Sequence, residues 1–241
     1  MKFFDINCSI GGWPFRHVPR HTAAELREDL EALGCVGALV TNNGSVLYND
    51  TREANRELAE AIRPHRGFFL GCATINPLWP RAIEELDECV NDLGLAAVRL
   101  LPCYHDYDPA AAVELCQAAA ELDLPVLIPA ELVNFRQRHR MEPQAPLSFS
   151  KCHLLFEAVP DATFVWLDSV LPADAPANVL GEFNRAKPNA AQCDRLLLGT
   201  GMPLRSPAAL AKLEQYHLPR RDLRLVTQDN FRRLFPEWAI G

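Results

Sequence analysis

Asn7 and Ser9 stand two residues apart near the start of the chain, in the apolar stretch FFDINCSIGG (3–12). Side chains alternate along a strand, so an amide and a hydroxyl face the same way there. A strand end of this kind can present paired ligands, but these two are weak, neutral oxygen donors. Arg99 interrupts another apolar run, and a buried cation needs a counter-ion or a polar pocket. Asp168 or Glu131, each closing an apolar run, could pair with it; a carboxylate near a cation stays ionised and can act as a base. The alternative for both acids is charge balance. His105, within Tyr104-His105-Asp106-Tyr107, suits a general acid or base near neutral pH, or a plain hydrogen-bonded loop histidine. Arg136, Arg138, His139 and Arg140 either clamp a carboxylate or phosphate or form a solvated loop paired with Glu142. Asn42 and Asn43 either orient a polar ligand or make a turn, and turn duty suits one of them. Trp13 and Met141 read as packing.

These residues hang on a regular rhythm. Apolar runs at 3–7, 36–40, 68–74, 96–101, 125–128, 163–167 and 196–198 read as strands. Between them lie helical stretches at 22–33, 51–62, 80–93, 108–122 and 150–159, and two more close the chain at 207–216 and 230–235. Thr22 is placed to cap the first helix and Pro80 to open the third. Continuous apolar strands alternating with helices imply a parallel sheet covered on both faces. An eighth strand is expected between Asp168 and Arg195, where Pro, Ala and Asn dominate and β character is weak. The expected fold is therefore α/β: one TIM-type (β/α) barrel domain over residues 1–241, irregular or truncated around its seventh strand. An open doubly wound sheet fits less well, because no glycine-rich loop comes after the first strand. In either fold the chemistry gathers at the carboxyl ends of the strands.

The chain has 241 residues, 49% hydrophobic and 23% charged, with a formal net charge of −7. That balance argues against nucleic acid as a partner and leaves room for a local basic pocket. The start carries no signal-peptide pattern, and no apolar run reaches membrane-span length. Eight scattered cysteines without a CxxC pair read as reduced, mostly buried thiols, which points to the cytoplasm.

Several segments carry a resemblance. They are ANRELAEAIRPHRGFFLGCATINPLWPRAIEELDECVNDLGLAAVRLLP (54–102), AAELDLPVLIPAE (119–131), RLLLGTGMPL (195–204) and DNFRRLF (229–235). Their order and spacing resemble the amidohydrolase-related family of metal-dependent TIM-barrel hydrolases and decarboxylases. The resemblance implies a metal at the barrel mouth, held by a His-x-His pair on strand one, histidines ending strands five and six, and an aspartate on the last strand. Here those positions hold Asn7 and Ser9, Pro129, Asp168 and Gly201. Proline and glycine offer no side-chain donor, and zinc wants three or four strong ligands. The expectation is therefore no metal and no other cofactor.

Two functions are compatible with these residues. The first is a metal-independent hydrolase of a lactone, ester or similar bond in a small anionic metabolite. His105 with Asp168 or Glu131 would supply acid–base chemistry. Arg99, Tyr104, Arg138, His139, Asn7 and Asn42 would bind the substrate. One positioned acid or base contributes on the order of 10²–10⁴-fold, enough for a labile bond. The second is a non-catalytic barrel that binds a metabolite or partners an active relative. A homo-oligomer is compatible with both.

Overall fold

Eight short runs form a single sheet in sequence order, with every neighbour parallel: β1 (Phe3–Ile10), β2 (Cys35–Asn42), β3 (Phe69–Thr74), β4 (Ala97–Arg99), β5 (Val126–Pro129), β6 (Phe164–Leu167), β7 (Val179–Phe183) and β8 (Leu196–Leu198). The computed structural model describes residues 1–183 and 188–236. The sheet curls round until β1 meets the chain just beyond β8. There the Ser9 N–H donates to the Met202 carbonyl (2.9 Å), and the Gly201 N–H donates to the Asn7 carbonyl (2.8 Å). Cys8 and Met202 form an isolated parallel bridge, so the seam is closed at the mouth by a few bonds rather than by a full ladder. The result is a TIM-type barrel.

The helices outside it are α1 (Ala23–Ala32), α2 (Arg52–Ile62), α3 (Ala82–Asn91), α4 (Pro102–His105), α5 (Val113–Glu121), α6 (His153–Ala158), α7 (Ala190–Cys193), α8 (Ala208–Gln215), α9 (Arg220–Arg224) and α10 (Asn230–Leu234). Thr22 caps α1 in a reciprocal box with Glu25, which satisfies two of the free N–H groups of the first turn. Pro80 does not open α3. Arg81 adopts a left-handed backbone (φ +70°), and the helix starts after it at Ala82.

The strand between Asp168 and Arg195 is β7, a regular one, paired with β6 and β8. The irregularity lies in its connections: residues 168–178 contain no helix, and α7 is a single turn.

Alternation sorts the side chains into two cores. Phe3, Val40, Val98, Ile128, Phe164 and Phe183 pack outward against the helices. Phe4, Leu39, Ala97, Leu127, Val165 and Leu197 fill the barrel, and Phe231 and Phe235 of the closing segment plug its lower end. Phe4 stacks on Phe231 at 4.8 Å. Above this apolar floor the inward positions become polar: Thr41, Thr74, Arg99 and Glu182 continue the inward faces of β2, β3, β4 and β7. All eight cysteines are free, and all but Cys103 are buried.

Candidate active site at the barrel mouth

Strict alternation from Phe4 and Ile6 would send Cys8 into the barrel and Asn7 out. A register shift between Asp5 and Cys8 reverses this. Such a bulge adds one residue to a strand and re-aims the side chains beyond it. Ile6 thus lies in the inner core and Cys8 in the outer one, while Asn7 and Ser9 line the mouth.

Asp5 fixes the shift. Its Oδ1 accepts the backbone N–H groups of Asn7 (2.9 Å) and Thr200 (3.1 Å), and its Oδ2 accepts the Thr200 hydroxyl (2.6 Å). The side chain therefore ties β1 to the residues after β8 across the seam. Burial pushes its carboxyl up to about 6, against three hydrogen bonds that pull it down. A folded value above the unfolded one means stability that is full below about pH 4 and lost as pH rises through 6. In denaturant unfolding the native protein should lose about 2 kcal/mol more than Asp5→Asn between about pH 4 and pH 7. Parallel curves for the two proteins would show that Asp5 does not titrate this way.

Arg99 is 4% exposed. Neutral oxygens hold it: Thr74 Oγ1 on Nε (3.0 Å), Thr41 Oγ1 on Nη1 (2.7 Å), and the Asn42 carbonyl (2.9 Å) with Ser45 Oγ (2.8 Å) on Nη2. Of the two readings, ion pair or polar pocket, the pocket holds: among the described residues Asp168 and Glu131 pair with other arginines, and Asp168 acts on Arg99 through its charge. A guanidinium has five N–H donors, so one on Nη1 is left for the mouth cavity that Arg99 lines. Burial pulls its pKa down to about 10, so it stays cationic at neutral pH. Asn55 of α2 grips both the N–H and the carbonyl of Thr74 (2.9 Å each) and thereby fixes one of the Arg99 acceptors.

Asp168 comes directly after β6 with a left-handed backbone, φ +62°. Its Oδ1 accepts Asn7 Nδ2 (3.2 Å) and ion-pairs with Arg205 Nη1 (2.9 Å). Glu182 sits beside it on β7, where Oε2 accepts the Asp168 N–H (2.6 Å) and Asn7 Nδ2 (3.2 Å). Burial first, and the Asp168 carboxylate second, hold the Glu182 carboxyl well above the usual carboxylate range. Its neutral, proton-bearing form is therefore favoured. Because Oε2 already accepts two N–H groups, that proton belongs on Oε1.

Two cavities share Asp168. The one at the barrel axis, lined by Asn7, Ser9, Arg99 and Asp168, has a volume of only about 10 Å³, room for about one water. Beside it a cavity of about 360 Å³ opens over β7, β8 and α8, bordered by Asp168, Glu182, Arg205, Arg136 and Lys212. That lies at the lower end of the range for small-molecule sites.

The other sequence candidates fall around this centre. Glu131 is clamped between Arg138 (2.5 Å) and Arg205 (3.4 Å). Tyr104 donates to Glu142 (3.2 Å), and His139 stacks on Phe15 at 5.9 Å. His105 lies behind Arg99. Its Nε2 donates to the Ser45 carbonyl (2.9 Å), while the buried Nδ1 has no partner among the described residues. Burial lowers its pKa, so the imidazole is neutral. Asn42 does the turn work: Oδ1 accepts Gly44 N–H (2.8 Å) and Nδ2 reaches Ala54 and Glu57 of α2. Asn43, instead, lines the mouth. Met141 is 74% exposed, and it is not packing.

Sequence reasoning missed Glu182, Arg205 and Asp5. For Glu182 the available signal was its place in VLGEF, a charge alternating with Leu180 on one strand face.

The donor set does not fit a metal. Pro129 and Gly201 carry no side-chain donor, Asn7 turns its amide N–H groups toward the two carboxyls, and a guanidinium already lies on Asp168. Among the described residues no group of three or more His, Cys, Asp or Glu side chains is arranged to hold one. Nor is any described helix long and apolar enough to cross a membrane.

Comparison with solved structures finds the same fold at low identity. A 2,6-dihydroxybenzoate decarboxylase from Rhizobium superposes with a TM-score of 0.72 at 17% identity, covering 98% of this chain and 99% of the other. A 4-oxalomesaconate hydratase from Rhodopseudomonas palustris gives 0.71 at 14%, with 98% and 96% covered. A dihydroxybenzoic acid decarboxylase from a Polaromonas species, with bound manganese and the inhibitor 2-nitroresorcinol, gives 0.73 at 14%, with 100% and 99% covered. No curated protein matches the sequence. The sequence pattern of one family, amidohydrolase, matches residues 15–236, from the first loop after β1 to just beyond α10. A match of that extent, on a barrel of eight parallel strands, places the chain in the amidohydrolase family.

Proposed function

We propose that the chain is a metal-independent hydrolase that opens an ester or lactone bond in a small anionic metabolite. The observation that carries this reading is the Asp168–Glu182 pair, two inward carboxyl groups at the edge of the larger cavity, one paired with a guanidinium and the other held by burial and by its neighbour toward the neutral form. Environments that drive two neighbouring acids apart in this way separate a base from an acid.

A water held by Asp168 bonds to the acyl carbon and gives a proton to the Asp168 carboxylate. The acyl C–O bond breaks, and the departing oxygen takes the proton from Glu182 Oε1. The products are a carboxylic acid and an alcohol, or one hydroxy acid from a lactone. The proton on Asp168 then passes through solvent to Glu182. One carboxylate oxygen of the ligand takes the one-water space against Arg99, and the basic residues of the larger cavity hold its remaining anionic groups. Glu131 orients Arg205, and His105 holds the Ser45 turn that supports Arg99. The relatives named for dihydroxybenzoate and oxalomesaconate, both small carboxylates, support an anionic ligand.

A panel of lactones and esters of small carboxylic acids tests the reading. Turnover by the native protein, lost in Asp168→Asn and in Glu182→Gln but kept in His105→Ala, is the expected result. Turnover unchanged in Asp168→Asn would remove the proposed base. The small volume at the barrel axis favours a second reading, a barrel that binds a carboxylate without reaction. Binding of panel members with no turnover would select it.

A further inference from the structure

The mouth contains a second guanidinium besides Arg99, and the chain has made room for it. Arg205 Nη1 lies 2.9 Å from Asp168 Oδ1, and its Nη2 lies 3.4 Å from Glu131 Oε1 and 3.1 Å from the Glu131 carbonyl. Its Nε donates to the Leu132 carbonyl (3.2 Å). The guanidinium is therefore fixed from the ends of β5 and β6, with Asn7 of β1 converging on the same Asp168 oxygen. The stem reaches this position by passing Gly201, which has φ +71°. A Cβ at that residue would lie 2.9 Å from Arg205 Cδ and 3.1 Å from its Cβ. Any side chain at 201 would obstruct the arginine. The absence of a donor at 201 and the presence of the guanidinium are one arrangement.

We propose that the Arg205 guanidinium takes the place of a divalent cation in this barrel, neutralising Asp168 and Glu131 as a built-in, non-exchangeable positive charge. One structural relative holds manganese; here the cation is covalently part of the chain. A guanidinium supplies fixed hydrogen-bond direction to carboxylates, but it offers no open coordination position to water. The inference stands whether or not the protein is a hydrolase.

Its consequence is measurable without any activity. Removing Arg205 leaves two carboxyls that faced its guanidinium, Asp168 and Glu131, the latter still paired with Arg138, and oxygen donors of this kind suit Mn²⁺. Calorimetric titration with Mn²⁺ should give no saturable site in the native protein. Arg205→Ala should gain one site, at least about tenfold tighter than anything in the native protein, and a thermal midpoint that rises with Mn²⁺. Asp168→Asn added to Arg205→Ala should abolish the gain. Arg205→Met keeps the stem past Gly201 and serves if the alanine variant is too unstable; folding that depends on added Mn²⁺ would count in favour. Stoichiometric Mn²⁺ binding by the native protein would overturn the proposal. Folded Arg205 variants that ignore Mn²⁺, or variants equally unfolded with and without it, would overturn it too.

Discussion

Gly199→Ala is expected to destabilise the protein by about 3 kcal/mol, lowering the thermal midpoint by roughly 6–12 °C. A Cβ at 199 would overlap Glu182 Oε1 outright, and it would lie 2.8 Å from Glu182 Cδ and 2.9 Å from Asn7 Cβ. Neither neighbour can yield cheaply. Glu182 sits inside β7, paired on both sides, and its carboxyl is held by the Asp168 N–H and by Asn7. Asn7 is fixed by the bulge at Asp5. The methyl group must therefore expel the carboxyl from its position. A double-mutant cycle identifies the cause: in a Glu182→Ala background the same change should cost at least about 1 kcal/mol less. Additive effects would mean that Gly199 serves the backbone rather than the carboxyl. The same variant should lose any turnover that depends on Glu182, because the group meant to carry the proton has left the cavity wall.

That contact shows what local sequence could and could not reveal. Seven strands were legible because apolar runs such as GALV and PVLIP stand between clear helix signals; Thr22 and its Glu25 partner marked one helix start without ambiguity. VLGEF was hidden because Pro172, Pro176, Asn178 and Pro188 surround it, and its pairing comes entirely from its neighbours in the barrel. The site was half legible. Asn7, Arg99 and Asp168 announce themselves as polar groups at strand ends. Arg205 does not, because it lies in a loop and only a path past Gly201 brings it to Asp168. Asp5 looked like one more residue of an alternating strand. The bulge it secures decides which side chains enter the mouth, and its partner Thr200 is 195 residues away. Such cross-seam contacts have no local pattern to read. Asn42 and Asn43 were distinguishable in kind but not in order: one makes the turn and the other faces the mouth.

Arg99→Met should separate binding from stability. The tightest-binding small carboxylate of the lactone and ester panel, or its carboxylate product, is expected to bind about 100-fold more weakly, a loss of about 3 kcal/mol. Stability should change by no more than about 1 kcal/mol. The reason lies in the partners. The Arg99 charge is desolvated and hydrogen-bonded by neutral oxygens, and its removal strands no buried counter-charge, because Asp168 keeps its ion pair with Arg205; the costly case, loss of one member of a buried pair, does not arise. The groups it leaves behind remain satisfied. The Asn42 carbonyl still accepts the Ser45 hydroxyl (2.7 Å), Thr74 Oγ1 still lies 3.1 Å from Ser45 Oγ, and Thr41 Oγ1 still reaches the Cys8 carbonyl (3.4 Å). A guanidinium retained for structure alone would give the opposite outcome: a large fall in the thermal midpoint and unchanged carboxylate affinity. A cation kept at the mouth against its desolvation cost, with one donor unspent among the described residues and Asp168 near it but ion-paired with Arg205, is poised for an anion from outside.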